Sequence, residues 1–214
     1  MIKVYAADIQ KLQDPIEQPT LLDELTMARQ EKIRRCQSAS GRIQSLGAGL
    51  LLKKILEEYQ ISQDQIRIGE HGKPEAEGLC FNLSHTNGFV ICAVGERPVG
   101  CDAEKIKKAP AKIARRYFTA NECSYLERWG QSAYDETFFR IWTAKEAYLK
   151  MTGEGLGQGL DQIEIRLQED GVSVWRDGRM AECHVKEYHV PGYQVTVCAE
   201  EEDFSEKIFF RDLY

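Results

Sequence analysis

Residues 79–104 read LCFNLSHTNGFVICAVGERPVGCDAE, and the spacing of their turn residues decides the fold. LCFNLSH (79–85) is a strand-like run, TNG (86–88) a turn, FVICAVG (89–95) a buried strand, ERP (96–98) a second turn and VGCDAE (99–104) a last short strand. Short apolar runs separated by Gly, Asn and Pro are the signature of strands joined by tight connections. Upstream, SLGAGLLLKKILEEYQ (45–60) places Leu46, Leu50, Ile55 and Tyr59 at helical spacing and predicts an amphipathic helix. The glycine-dense GEHGKPEAEG (69–78) ends that pattern.

The second half follows a similar order. KIARRYFTANECSYLERW (112–129) and DETFFRIWTAKEAYLKMTG (135–153) read as helices, LDQIEIRLQEDGVSVWRDG (160–178) as a strand pair and HVPGYQVTVCAEEE (189–202) as a closing hairpin. HTNGFVICAV (85–94) and HVPGYQVTVCAE (189–200) each hold a His, a turn Gly, an aromatic and a Cys-Ala pair near the strand end. The expectation is an α+β protein of two similar halves, 1–104 and 105–214, joined where Lys and Pro interrupt the apolar pattern between Glu104 and Ala114.

At 214 residues, 43% apolar and 29% charged, the chain has the composition of an ordinary water-folded protein, with no apolar run long enough to cross a membrane. MIKVYAADI at the start lacks the basic leader and long apolar core of a secretion signal. The 7 cysteines form no CxxC pair, a pattern of reduced thiols in a cytoplasm. A net charge of −6 argues against general nucleic-acid binding. Cations nevertheless concentrate in RQEKIRR (29–35) and KIKKAPAKIARR (105–116), each suited to a phosphate or an acidic partner.

Three motifs carry chemistry. In VGCDAE, residues two apart on a strand point the same way, so Asp102 and Glu104 can present two carboxylates to one point. A divalent cation such as Mg²⁺ would relieve their repulsion, although alone the pattern more often marks exposed strand-end charges. GKP (72–74) and NLSH (82–85) offer Lys73 as a point charge and Ser84 and His85 as hydrogen-bond donors to phosphate. Adjacent strand residues face opposite ways, which disfavours a Ser84 nucleophile with a His85 base. In FFRIWTAKEAYLK (138–150), Trp142, Glu146 and Lys150 share a stripe; periodicity alone makes Lys145, Glu146 and Lys150 the wet side of an amphipathic helix.

In this order and over this length, GKP, FNLSH, VGCDAE and FFRIWTAKEAYLK resemble the ordered motifs of the 4′-phosphopantetheinyl transferases of the surfactin-synthetase-activating type. That family's hallmark is (V/I)G(V/I)D followed further along by (F/W)(S/T/C)xKE(A/S)xxK. Gly100 and Asp102 match the first, and Trp142, Thr143, Lys145, Glu146, Ala147 and Lys150 the second. The resemblance implies a pseudo-twofold pair of subdomains, each an antiparallel sheet packed with helices, with the active site at their junction. It implies transfer of the 4′-phosphopantetheine arm of coenzyme A to a serine of an acyl or peptidyl carrier protein, releasing adenosine 3′,5′-bisphosphate. Mg²⁺ would sit on Asp102, Glu104 and Glu146. Glu146 would accept the serine proton directly or through water, and Lys150 would neutralise the leaving group. Lys73, Ser84 and His85 would hold the phosphates with Arg29, Lys32 and Ser45, while Trp142 would pack the helix. The chain departs from the family at Cys101 and Ala103, where larger aliphatics are common, and at Gln44, where an arginine is frequent. The protein expected is a cytoplasmic monomer that meets its carrier through Lys107, Lys108, Lys112, Arg115 and Arg116. Two other readings share these residues: a Mg²⁺-dependent phosphohydrolase, and a non-catalytic coenzyme A or carrier-binding module.

Overall fold

The computed structural model describes residues 1–69, 74–128, 131–155, 159–169 and 171–214. In chain order the elements are β1 (Ile2–Asp8), α1 (Met27–Arg34), α2 (Ala39–Glu58), β2 (Arg67–Ile68), β3 (Pro74–Glu75), β4 (Cys80–Thr86), β5 (Phe89–Gly95), β6 (Val99–Lys105), α3 (Ala111–Tyr117), α4 (Ala120–Leu126), α5 (Gln131–Thr152), β7 (Ile163–Gln168), β8 (Gly171–Arg176), β9 (Arg179–Met180), β10 (His184–Val190), β11 (Tyr193–Ala199) and β12 (Phe204–Phe210). The expected α+β architecture of two similar halves is observed. Each half runs long helix, antiparallel hairpin, third strand: α2, β4–β5, β6 and α5, β10–β11, β12. Both hairpin turns carry a glycine in the left-handed region, Gly88 at φ 83° and Gly192 at φ 80°. The aromatics that follow, Phe89 and Tyr193, stack on each other with ring centroids 4.9 Å apart, so the two turns meet.

The third strands are exchanged between halves. β6 leaves its own hairpin to complete the sheet β10-β11-β6, and β12 pairs in parallel with β1 at the edge of β12-β1-β5-β4. The two sheets lie face to face between the helices, and period-2 alternation sorts their side chains. Val4, Ala6, Ile91, Ala93, Val99, Cys101, Ala103, Val195 and Val197 fill the space between sheets. Tyr5, Ala7, Val90 and Cys92 turn the other way, into a core with Leu46, Leu50 and Leu51 of α2. Cys101 and Ala103 thus occupy packing positions, and the alternate residues of β6, Gly100, Asp102 and Glu104, are left for the α5 side.

Two local differences from the sequence reading have simple causes. The helical stretch 112–129 is divided into α3 and α4, because Phe118 is extended and Thr119 starts a new helix with a capping box closed by Glu122. The hairpin 189–202 does not close the chain; β12 follows it.

Candidate active site

α5 approaches β6 most closely at Gly100. A Cβ there would lie 2.0 Å from the Ala147 carbonyl oxygen and 2.4 Å from the Met151 nitrogen, so glycine lets helix and strand touch. The contact brings Glu146 and Lys150 over Asp102. Lys150 Nζ donates to Asp102 Oδ1 at 2.6 Å and to Ser84 Oγ at 3.3 Å, and Ser84 Oγ donates to the same Oδ1 at 2.7 Å. Asp102 is 5% exposed, and its other oxygen, Oδ2, is buried with no hydrogen-bond partner.

The carboxylates act on one another. Burial, then the charges of Asp102 and Glu104, raise the Glu146 pKa to about 7, against the pull of Lys150. Burial and then Asp102 raise Glu104 too, partly offset by the Thr86 hydroxyl and by Lys107 and Lys150. Burial works against the Lys150 charge, yet Asp102, Cys101 and Glu146 outweigh it and hold its pKa above the ordinary lysine value. Among the described residues, no three His, Cys, Asp or Glu side chains stand close enough together to hold a metal ion as they are. The unpartnered Asp102 oxygen and the mutual repulsion around it are nonetheless what a hard divalent cation relieves.

Asn82 and Thr86 belong to this arrangement, and sequence reasoning passed over both. β4 and β6 lie in different sheets, so no backbone ladder joins them. Instead Asn82, Ser84 and Thr86 accept from the β6 amides of Cys101, Ala103 and Lys105 at 2.9, 3.3 and 3.3 Å. Ser84 also donates to Asp102, and Thr86 to Glu104 at 3.2 Å. The signal was available in the polar residues recurring every second position of NLSHT. Ser84 therefore sits on the carboxylate side of β4, while His85 faces α2.

His85 stands in a row of cations. Its Nδ1 lies 3.1 Å from Gln44 Oε1. Although one side of the ring is open to solvent, protein crowding and then Lys150, Arg29 and Lys32 hold its pKa below the ordinary histidine value. Arg29 donates from Nη2 to the Ser45 carbonyl at 3.0 Å, and its Nε is buried without a partner. Burial lowers the pKa of Arg29; burial and the nearby Arg29 charge lower that of Lys32. Both border a cavity of about 520 Å³ whose remaining wall includes Leu52, Leu56, Ile66 and Pro74. The cavity is apolar with a basic side. Lys73 lies outside the described residues. The neighbouring Arg42 is engaged elsewhere, bonded through Nε and Nη2 to Asp14 and through Nη1 to the Cys36 carbonyl.

Of two further helix residues, Trp142 packs as the sequence led one to expect and Lys145 departs from it. Trp142 packs in the C-terminal core against Phe138 and Tyr117, with centroids at 6.3 and 6.0 Å. Lys145 is not on a wet face: it is fully buried, ion-paired with Glu122 at 2.8 Å and donating to the carbonyls of Tyr117, Leu160 and Ile163.

A family model for the 4′-phosphopantetheinyl transferase superfamily matches residues 98–198, which span β6, α5 and β11. The chain is 32% identical to the 4′-phosphopantetheinyl transferase Sfp of Bacillus subtilis (strain 168) over 215 residues, covering 97% of this chain and 96% of that one. It is 34% identical to the 4′-phosphopantetheinyl transferase ffp of Bacillus subtilis with the same coverage. A holo-(acyl-carrier-protein) synthase from Bacillus anthracis in complex with coenzyme A (3′,5′-ADP) aligns with TM-score 0.41 and 26% identity over 47% of this chain and 92% of that one. The chain belongs to the 4′-phosphopantetheinyl transferase superfamily, as a transferase of the Sfp type. Among the described residues no helix is long and apolar enough to cross a membrane.

Proposed function

We propose that the protein moves the 4′-phosphopantetheine arm of coenzyme A onto a serine of an acyl or peptidyl carrier protein. The serine oxygen forms a bond to the β-phosphorus of coenzyme A, the pyrophosphate bridge on its far side breaks, and adenosine 3′,5′-bisphosphate leaves. The observation that carries the reading is the Asp102 carboxylate, with one buried oxygen unpartnered and the other held by Lys150 and Ser84, beside the raised carboxyls of Glu104 and Glu146.

Asp102, Glu104 and Glu146 are the residues that would hold Mg²⁺, which when bound supplies positive charge to the pyrophosphate oxygens. Glu146, with a pKa near neutrality, is suited to take the serine proton. Lys150 is charged and aimed at the same point, where it offsets negative charge on the departing phosphate. Arg29 and Lys32 border the basic cavity and act on the nearby His85; these three, with Ser45, would bind the remaining phosphates, a role also assigned to Lys73. Ser84 acts on Asp102 and reaches a phosphate only through that corner. Labour would divide by halves: 1–104 supplies the phosphate contacts and two metal ligands, 105–214 the third ligand, the base and the carrier-docking helix.

For the carrier, the exposed cations Lys107, Lys108, Lys112, Arg115 and Arg116 run from the segment before α3 to its last turn. Lys107 is close enough to Glu104 to lower its pKa. A cavity of about 310 Å³ between α3 and α4, edged by Lys108 and Arg115 and floored by Ala114 and Leu126, offers an apolar side chain a seat within a basic rim. This surface is matched to an acidic partner with an apolar anchor. Incubation with coenzyme A, Mg²⁺ and an apo carrier, followed by weighing the carrier, tests the whole reading. Gain of the phosphopantetheine mass supports it. Hydrolysis of coenzyme A with an unmodified carrier supports a phosphohydrolase instead, and binding without turnover a non-catalytic module.

A further inference from the structure

We propose that Cys183 and Cys198 are an oxidation-sensitive dithiol that closes to an intramolecular disulfide beneath the C-terminal end of α5. Cys198 lies on β11 opposite Val185 of β10, and Cys183, two residues before Val185 and just outside the ladder, packs against the same core. Continued by one residue, the register sets the two diagonally across the strand pair. The same diagonal brings Glu187, opposite Thr196, to within 2.8 Å of Gln194 Nε2. Both cysteines belong to the C-terminal core, and each thiol is the largest influence on the other's titration. Cys183 precedes the β10 ladder in a bend closed by its own amide to the Ala181 carbonyl at 2.9 Å, so its backbone is freer than a mid-strand residue to reach bonding distance. Its neighbourhood is also open: Cys183 is partly exposed and Cys198 is buried. Cys92 and Cys101 form a contrasting pair, electrostatically coupled but both fully enclosed, with no path for an oxidant.

The chemistry needs a peroxide. The neighbouring Cys198 thiol lowers the Cys183 pKa, favouring the thiolate that attacks the O–O bond. Cys183 becomes a sulfenic acid and one water leaves. The Cys198 sulfur, giving up its proton, then displaces hydroxide from Cys183 as a second water, forming the S–S bond. Two thiols and one hydrogen peroxide thus become one disulfide and two waters, and an added thiol reverses the change.

Closure has a structural consequence for the site. Cys198 Sγ now rests 3.7 Å from Met151 Sδ, and Met151 follows Lys150 on α5. Cys198 also pairs with Gly100, where helix and strand have no slack. Drawing Cys198 toward Cys183 removes the thioether contact and shifts the floor under Lys150, so the oxidised protein transfers more slowly. That consequence rests on the transferase reading; the cross-link does not.

The test treats the folded wild-type protein and Cys183→Ser with hydrogen peroxide, quenches free thiols, and maps the cysteines by mass spectrometry. The expected wild-type result is loss of two hydrogens and a Cys183–Cys198 cross-linked peptide that a reductant removes, while Cys183→Ser shows neither. In Cys198→Ala, a sulfenic-acid trap such as dimedone should label Cys183. Both thiols remaining free, or a different cysteine pair linking first, overturns the proposal. Carrier modification measured on the same samples checks the second part: a slower oxidised wild type, restored by reductant and absent in Cys183→Ser, is expected. Unchanged transfer by fully cross-linked protein overturns the link to α5 and leaves the oxidation site standing.

Discussion

Lys145 and Lys150 stand five residues apart on the same helix, both charged, both ion-paired, and they do opposite things. Lys145 is 0% exposed and has every donor in use: Glu122 from α4 and three carbonyls, of Tyr117 at the end of α3 and of Leu160 and Ile163 after α5. Glu122 is likewise spent, accepting from the Thr119 and Ile165 amides as well. Around Lys150 the count does not close: Asp102 keeps an unpartnered oxygen, and burial and mutual repulsion raise Glu104 and Glu146. A closed polar network fixes structure, whereas an open one has capacity left for a ligand. The pair at Lys145 ties α3, α4 and the loop before β7 to α5, and the pair at Lys150 is where chemistry would enter.

The largest expected effect breaks the closed end. Lys145→Met strands the Glu122 carboxylate in the core and should cost about 3–5 kcal/mol of stability by chemical denaturation, with transfer lost only as the fold is lost. Replacing both partners, Lys145→Met with Glu122→Leu, should recover most of that cost, because no buried charge is then left alone. A single mutant within about 1 kcal/mol of wild type would contradict the comparison.

The open end should behave in reverse. Glu146→Gln and Glu104→Gln remove carboxyls that the fold already holds partly against ionisation, so unfolding should be unchanged or slightly harder near neutral pH. Carrier modification by either should fall to background. Destabilisation by several kcal/mol, or full transfer, would mean that these acids serve the fold. Asp102→Ala is the less clean probe, since it also removes the carboxylate ion-paired with Lys150.

How much of this contrast was legible beforehand depends on which interactions are local. The strands of 79–104 and the helix α2 follow from turn residues and periodicity, and the ordered motifs pointed to Asp102, Glu146 and Lys150. A helical wheel sets Lys145 among Phe138, Ile141 and Leu149, about 140° from Lys150, but it does not show what lets a lysine be buried there, because its partners come from positions 117, 122, 160 and 163. The parallel pairing of β12 with β1 is equally remote in sequence. The seam of Asn82, Ser84 and Thr86 is a middle case: the alternation is visible, but its meaning requires knowing that β6 lies in another sheet.

A smaller effect concerns the basic cavity. Arg29 leaves its Nε buried and unpartnered there, a second unclosed donor set in the other half. Arg29→Ala should weaken coenzyme A binding by about 1.5–3 kcal/mol in calorimetry, the worth of a charged hydrogen bond, with little change in turnover at saturation. Unchanged affinity would remove Arg29 from the phosphate contacts.

The smallest effect tests whether closure alone predicts a structural role at a more exposed pair. Arg42 bonds Asp14 through two nitrogens and holds the Cys36 carbonyl, clamping the start of α2 to the segment after β1, and the hydrogen bonds from Arg42 hold the Asp14 carboxyl below the usual aspartate range. A carboxyl whose folded pKa is depressed binds its proton less readily folded than unfolded. Its contribution to stability is therefore complete above the unfolded value of about 4 and is lost as the pH falls through the folded one. Asp14→Asn should accordingly lower the melting temperature by a few degrees near pH 7, and the gap to wild type should close below about pH 4. Coenzyme A affinity should not move, because Arg42 is already fully engaged by the fold. A gap that persisted in acid would show that Asp14 works through packing rather than charge, while a loss of coenzyme A affinity would place this clamp with the ligand contacts and blur the line between closed and open networks.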